Sequence, residues 1–271
     1  MGAGSDQPSA LHGYTCSPFN ALGATRDVYR TGTGPAVIVI SEVPGITPNV
    51  AGFGRRVAAI GCTAVLPHLF GKPGAAPTVV GAMRVATRAC ISREFSTLAR
   101  RRTSPVTAWL RALARSVHGE CGGPGVGAVG MCLTGGFALA MMVDEIVLAP
   151  VLSQPSLPFG IGAERRSDLG VSDADLARAK QRCDAEDVCV LGLRFSGDKM
   201  APAERFGRLR EELGDHFVAV EIDSSPGNPE GYRKGAHSVL TEDLRDEPGS
   251  ATRAALDQVL ELFRTKLLLQ S

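Results

Sequence analysis

No run of apolar residues in this sequence is long enough to span a bilayer, and Met1 to Pro8 lacks the apolar core of a secretory signal. Asp6 stands where an N-myristoylation signal needs Ser or Thr, so that anchor is not expected either. Charge of one sign is also lacking. Lys and Arg number 29 against 28 Asp and Glu, a net charge of +1. No dense basic block is present, and the triplet Arg100, Arg101 and Arg102 reads as a solvated loop. Nucleic acid and anionic membrane surfaces are therefore not the expected partners. The seven cysteines are odd in number and form no C-x-x-C pair, which argues against a disulfide framework or a ribbon-type zinc site and fits free thiols in a reducing cytoplasm. Internal repeats and low-complexity tracts are missing.

The 271 residues, 44% of them hydrophobic, suffice for one large core, so a single domain over 1–271 is expected, with a loose start to about Leu11. Strand-like and helix-like segments alternate from there, the pattern of parallel strands joined by crossover helices. Buried-strand runs cover Ala36 to Glu42, Cys62 to Leu66, Val126 to Met131, Glu145 to Leu152, Val188 to Phe195 and Phe217 to Ile222. A helix capped by Asn49 places Val50, Phe53, Val57 and Ile60 on one face. Others start at Ser104-Pro105, ending near His118, at Ser172-x-x-Asp175, running to about Cys183, and near Pro202; a last one carries Leu256, Val259, Leu260, Phe263 and Leu267 at helical spacing. The long connection from Pro67 to Thr103 must hold structure of its own. This is a doubly wound, mostly parallel α/β sheet of the α/β-hydrolase type.

One short segment carries the chemistry. Gly130-x-Cys-x-Thr-Gly-Gly136 follows a strand and opens a helix, the layout of a nucleophile elbow with sulfur as the attacking atom. Small residues at Gly130, Gly135 and Gly136 make room for the sharp turn, and the helix start favours a thiolate at Cys132. The competing reading is an inert core cysteine. The overlapping Gly125-x-Gly-x-x-Gly130 matches a dinucleotide fingerprint, but a helix precedes it and a strand runs through it, the reverse of what that motif requires.

In open α/β sheets, residues just after the strands meet at the carboxyl edge. Asp198 follows one strand, and His237 lies beyond the last, in the order nucleophile, acid, histidine. Cys132, His237 and Asp198 are thus the expected triad, with the histidine shuttling the proton and the aspartate fixing its tautomer. Oxyanion donors would be the Leu133 amide and the Val43 amide, the latter on a loop after a strand two places along the sheet. Of the other histidines, His12, His118 and His216 fall at unsuitable positions, and His68 reads as a wall residue. Neither metal nor organic cofactor is implied.

Four segments between about Val37 and Leu240 resemble the dienelactone hydrolase family: Ile40-Ser-Glu-Val-Pro-Gly45, the cysteine elbow, Gly197-Asp198 and Gly235-Ala-His-Ser238. The resemblance implies that Glu42 contacts the resting thiol and helps to generate the thiolate, and that Arg93 and Ser238 bind substrate. Two positions depart from the family. Thr134 replaces an elbow glycine, adding a hydroxyl and a methyl beside the nucleophile, and Thr241 stands where a second substrate-binding arginine is expected, with Arg245 the nearest basic residue. The implied activity is hydrolysis of a small ester, thioester or lactone. A non-catalytic protein of the same fold that binds a ligand or partner is the main rival, and a redox-sensing thiol a further one.

Overall fold

The computed structural model describes residues 8–78, 104–157 and 163–269. Among these, eight strands form one sheet: β1 (Thr15–Ala21), β2 (Ala24–Gly32), β3 (Ala36–Ile40), β4 (Thr63–Pro67), β5 (Val126–Met131), β6 (Val147–Ser153), β7 (Val190–Phe195) and β8 (Phe217–Ile222). Their order is β1-β2-β4-β3-β5-β6-β7-β8. β2 runs antiparallel to β1 and β4, and the remaining neighbours are parallel. The α/β-hydrolase architecture expected from the sequence is the one found. β3 lies directly beside β5, however, not two places from it.

The β1–β2 hairpin is unannounced by the sequence pattern. β1 is mostly exposed, so it shows no apolar alternation, and its two-residue turn is Leu22-Gly23 with both φ positive (53° and 78°). That is the hairpin geometry usually signalled by Asn-Gly or Asp-Gly. Of the segment expected to be loose, the described end is held: Ser9–Leu11 form a 3-10 turn, Leu11 is fully buried, and Arg55 donates to the carbonyls of Ala10 and His12.

Helices α1 (Pro48–Ala59), α2 (Pro105–Cys121), α3 (Gly135–Met141), α4 (Ala163–Ser167), α5 (Asp173–Glu186), α6 (Ala203–Leu213) and α7 (Ala251–Phe263) complete the layers. The cap of α1 is Thr47, whose hydroxyl accepts the Val50 amide, and not Asn49. Pro48 explains the difference: its fixed φ and missing N–H suit the first helical position, which moves the cap to the residue before it. Asn49 instead donates its side-chain amide to Glu242 at 2.7 Å. Ser104 and Ser172 cap α2 and α5 as their motifs suggest, though both helices extend about a turn further than expected.

Strand side chains alternate between the two faces. Val37, Val39, Val129 and Met131 pack against Val50, Phe53 and Val57 of α1 and Val259 and Phe263 of α7. Ile38, Ile40 and Ala128 pack against Trp109 and Leu113 of α2, Phe137 of α3 and Phe206 of α6. Both faces are thus dry, which is why the parallel strands read as continuous apolar runs. Phe263 presses on Gly127 so closely that a β-carbon there would lie 3.0 Å from its ring. Phe263→Ala should therefore cost about 3–5 kcal/mol in equilibrium urea unfolding, because the deleted ring leaves a hole against a glycine that cannot fill it; a loss below about 1 kcal/mol would contradict this packing.

Candidate active site

Parallel register decides which residues meet. Ile40 pairs with Gly130 and Met131 with Ser153, so Glu42, Cys132 and Gln154 leave three adjacent strands side by side at the carboxyl edge. Cys132 has φ +56° and Gln154 φ +36°, left-handed conformations that non-glycine residues adopt at a cost of about 1–3 kcal/mol each. The elbow turns so tightly that a β-carbon at Gly130 would lie 2.2 Å from the Thr134 carbonyl oxygen, and one at Gly135 would lie 2.5 Å from the Pro155 backbone. Only glycine fits either place. Cys132 to Thr134 form a single 3-10 turn before the seven-residue α3, and the Ser156 amide donates to the Cys132 carbonyl at 2.9 Å, bracing the bend from the loop after β6.

Thr134 is not in the cleft. It is fully buried, and its Oγ1 accepts the Met131 amide at 2.9 Å while lying within donating distance of the carbonyls of Met131 (2.8 Å), Ile40 (2.9 Å) and Ser41 (3.3 Å). A hydroxyl has one proton and donates to one acceptor at a time, so the Ile40 and Ser41 carbonyls compete with the local one. The extra side chain expected beside the nucleophile is instead a link between the elbow and the end of β3.

His237 and Asp198 meet: Nδ1 lies 2.6 Å from Oδ2. Amides of Met200 and Ala201 also serve the Asp198 carboxylate. Burial alone would raise the Asp198 pKa, but the hydrogen bond and charge of His237 together with those amides hold it below the usual carboxylate range. A carboxylate only accepts, so Nδ1 carries the proton and Nε2 faces away from Asp198. Nε2 is buried and, among the described residues, has no partner of full hydrogen-bond geometry, although Cys132 is close enough to act on the ring. Such contacts are often loose before substrate arrives. Burial pulls the His237 pKa down, yet the charge of Cys132 and the bond to Asp198 outweigh it and raise it well above the ordinary value. The backbone of this turn is fixed by Asp243, which accepts the His237 and Ser238 amides at 2.8 and 3.1 Å.

Glu42 is 3% exposed. Among the described residues its carboxylate is held by the hydroxyls of Ser238 (2.6 Å) and Thr241 and by the side-chain amide of Gln154 (3.2 Å). Its hydrogen bonds therefore go to the histidine loop and to β6, and none goes to the Cys132 thiol. Ser238, expected to face substrate, is engaged here, and Thr241 uses the second arginine's place to hold the same carboxylate. Arg245 points elsewhere: it donates to the carbonyls of Glu230 and Gly231 and stacks on Tyr232, 4.4 Å from the ring centre. Arg93 lies outside the described residues. Val43 and Leu133 are partly exposed just beyond the ends of β3 and β5, Leu133 following Cys132 directly. His68 is occupied by the Gly71 carbonyl at 3.0 Å. Sequence reasoning missed Gln154 and Asp243 and named Thr241 without its bond to Glu42; these roles depend on contacts 85 or more residues away for Gln154, 199 for Thr241, and on a local turn for Asp243. Only the position of Gln154, just past a strand end, offered a signal.

A positive-φ cysteine at a strand-to-helix elbow, beside a histidine–aspartate pair at the carboxyl edge of this sheet, defines the α/β-hydrolase class. The sequence matches the family model "Dienelactone hydrolase family" over residues 20–267, and the chain belongs to that family, a hydrolase of the α/β-hydrolase type. No curated protein matches the sequence. Among solved structures, the dienelactone hydrolase of Anabaena variabilis is 16% identical, covering 94% of this chain and 98% of its own, with a TM-score of 0.60. A dienelactone hydrolase-like promiscuous phosphotriesterase from metagenomic libraries is 14% identical over 94% and 98%, with a TM-score of 0.59. The thioesterase domain from the curacin biosynthetic pathway is 10% identical over 92% and 99%, with a TM-score of 0.53. At such identities these likenesses speak for the fold.

Burial raises the Glu42 pKa, a shift only partly offset by its hydroxyl donors and the charge of His237. A carboxyl whose folded pKa lies above its unfolded one loses stability as pH climbs between the two values. Glu42→Gln should thus be at least as stable as the parent at neutral pH, with the difference shrinking as pH falls to the ordinary carboxylate range. Urea unfolding at several pH values tests this, and a pH-independent loss of stability in the variant would contradict it.

Proposed function

We propose that this chain hydrolyses small carboxylic esters or lactones through a covalent acyl-enzyme, with Cys132 as nucleophile, His237 as acid and base, and Asp198 as its orienting carboxylate. The reading rests on one observation above others: the 2.6 Å His237–Asp198 pair stands beside a strained cysteine at the end of the central strand. In this scheme the Cys132 sulfur attacks the substrate carbonyl, and the Val43 and Leu133 amides hold the developing oxyanion. His237 gives a proton to the leaving oxygen, then takes one from water as that water attacks the thioester carbonyl. The acid leaves, and the sulfur is restored.

Glu42 belongs to this scheme as a brace, tying the oxyanion turn to the histidine loop through Ser238 and Thr241. Of the two arginines that would hold a substrate carboxylate, one position carries Thr241, which favours esters, thioesters and lactones without an obligatory negative charge. Arg93 and Ser238 remain the proposed contacts to the rest of the substrate. The described cysteines are free thiols and no described helix is long and apolar enough to cross a membrane, which supports the cytoplasmic setting proposed here.

Cys132→Ala should remove hydrolysis of short aryl esters while leaving unfolding transitions in place; retained turnover would end the proposal. Iodoacetamide should label Cys132 ahead of the other six thiols, whereas a non-catalytic binding protein would show no such preference. A third measurement isolates the acid. Asp198 and Cys132 both favour the imidazolium, so Asp198→Asn should move the NMR titration of the His237 ring to lower pH and cut turnover by more than tenfold. An unmoved titration would assign the carboxylate role to another residue.

A further inference from the structure

The same parallel register that gathers residues at the carboxyl edge also gathers them at the opposite edge, where β7 and β8 begin. Val190 pairs with Phe217, so the residues just before them, Cys189 and His216, enter the sheet side by side. Asp187, in the left-handed conformation at the end of α5, turns back over the pair, its carboxylate 3.5 Å from the His216 Nδ1. One sulfur, one ring nitrogen and one carboxylate oxygen thereby lie within 4.8 Å of one another.

We propose that Asp187, Cys189 and His216 form a site for a divalent metal ion of zinc type, separate from the proposed catalytic centre. The donor set is the argument. Thiolate, imidazole and carboxylate are the three side-chain types that zinc takes, at about 2.0–2.3 Å, with water completing a tetrahedron whose edges are roughly 3.5 Å. The Asp187–His216 separation of 3.5 Å already equals such an edge, and drawing the set in from its outer limit of 4.8 Å needs only small side-chain rotations, which the exposed Asp187 and the partly exposed Cys189 and His216 allow. A thiolate and a carboxylate together cancel the charge of the ion, and the Cys189 thiol proton passes to solvent as the bond forms. Magnesium and calcium, which prefer all-oxygen shells, fit this set poorly. Cys183, buried beneath and near enough to feel a charge on Cys189, is a packing thiol of the core.

Each ligand comes from a different place: the end of α5, the entry to β7 and the entry to β8. A bound ion would clamp β8, which among the described residues has a neighbouring strand on one side only, to the layer that covers it. The site is thus a structural tie, and its occupancy should leave ester hydrolysis unaffected.

Cobalt(II) titration of the chelator-treated protein tests the proposal, because a thiolate–cobalt bond absorbs in the near ultraviolet. The band should form in wild type and in Cys132→Ala, vanish in Cys189→Ser, and need at least about tenfold more cobalt in His216→Ala, the scale on which even outer partners of metal ligands matter. Excess zinc should bleach it, and zinc should raise the melting temperature of wild type but not of Cys189→Ser. Absence of a band at millimolar cobalt would overturn the site. So would a band that survives Cys189→Ser and disappears in Cys132→Ala, which would place the metal at the cleft. Neither result bears on the hydrolytic reading, which Cys132→Ala tests by turnover.

Discussion

A single buried carboxylate organises the carboxyl edge of this sheet. Glu42 leaves β3 with almost no solvent contact, and its two oxygens are served by groups from two other strand ends: Gln154 after β6, and Ser238 and Thr241 after β8. Burying a charge without a counter-ion is costly unless every lone pair finds a donor. Here the donors are neutral, so the network is held by geometry more than by attraction between charges. Its members also bear on the reactive groups: Ser238 follows His237 directly, and the Glu42 carbonyl accepts the Gly45 amide that closes the turn carrying Val43. Moving Glu42 would displace the histidine loop and the turn carrying Val43 together.

Two further contacts stiffen the frame. Thr134 joins the elbow to the final carbonyls of β3, and Gln154 uses its remaining carbonyl oxygen to accept the Val239 amide and the Ser153 hydroxyl. Strained backbone at Cys132 and Gln154 persists only where the surroundings over-determine it. The close approaches at Gly130 and Gly135, the Ser156 bond to the elbow and the Thr134 link together meet that condition. Cys132 is consequently presented by a tightly braced bend, and the His237 Nε2 near it has no partner of full hydrogen-bond geometry among the described residues.

Much of this was legible in the sequence wherever a pattern has local causes. Six apolar runs marked the six strands of the parallel part, five of them because both their faces are dry while β8 at the edge is half-exposed, and Ser104-Pro105 and Ser172 marked helix starts because capping involves neighbours three residues apart. The elbow was legible because Gly130 is required by a contact four residues away, although Gly135 and Gly136 make room for Pro155 and Leu169, much further along the chain. The failures share a different cause. β1 is an exposed edge strand with no periodic signal, and its turn uses leucine where glycine or asparagine would have announced it. Thr134 was expected in the cleft because its χ1 direction follows from a carbonyl 94 residues away. The environment of Glu42 depends on partners 112 to 199 residues distant, so neither its burial nor its donors could be read from Ile40-Ser-Glu-Val-Pro-Gly45.

The resemblance leads one to expect an arginine at position 241, and the threonine found there bears on the electrostatics of Glu42. An arginine at that position would bring a fixed positive charge next to Glu42, pull its pKa down by direct pairing and leave a cationic fork for a substrate anion. A threonine supplies one hydroxyl, too short to reach past the carboxylate and able to satisfy only one of its lone pairs. Burial then dominates the Glu42 electrostatics, which is the raised pKa found, and the carboxylate must recruit Ser238 and Gln154 to complete its shell. Those contacts tie the histidine loop and the end of β6 to Glu42. The threonine thus brings no cation to Glu42 from this position, and its hydroxyl is spent on the carboxylate itself.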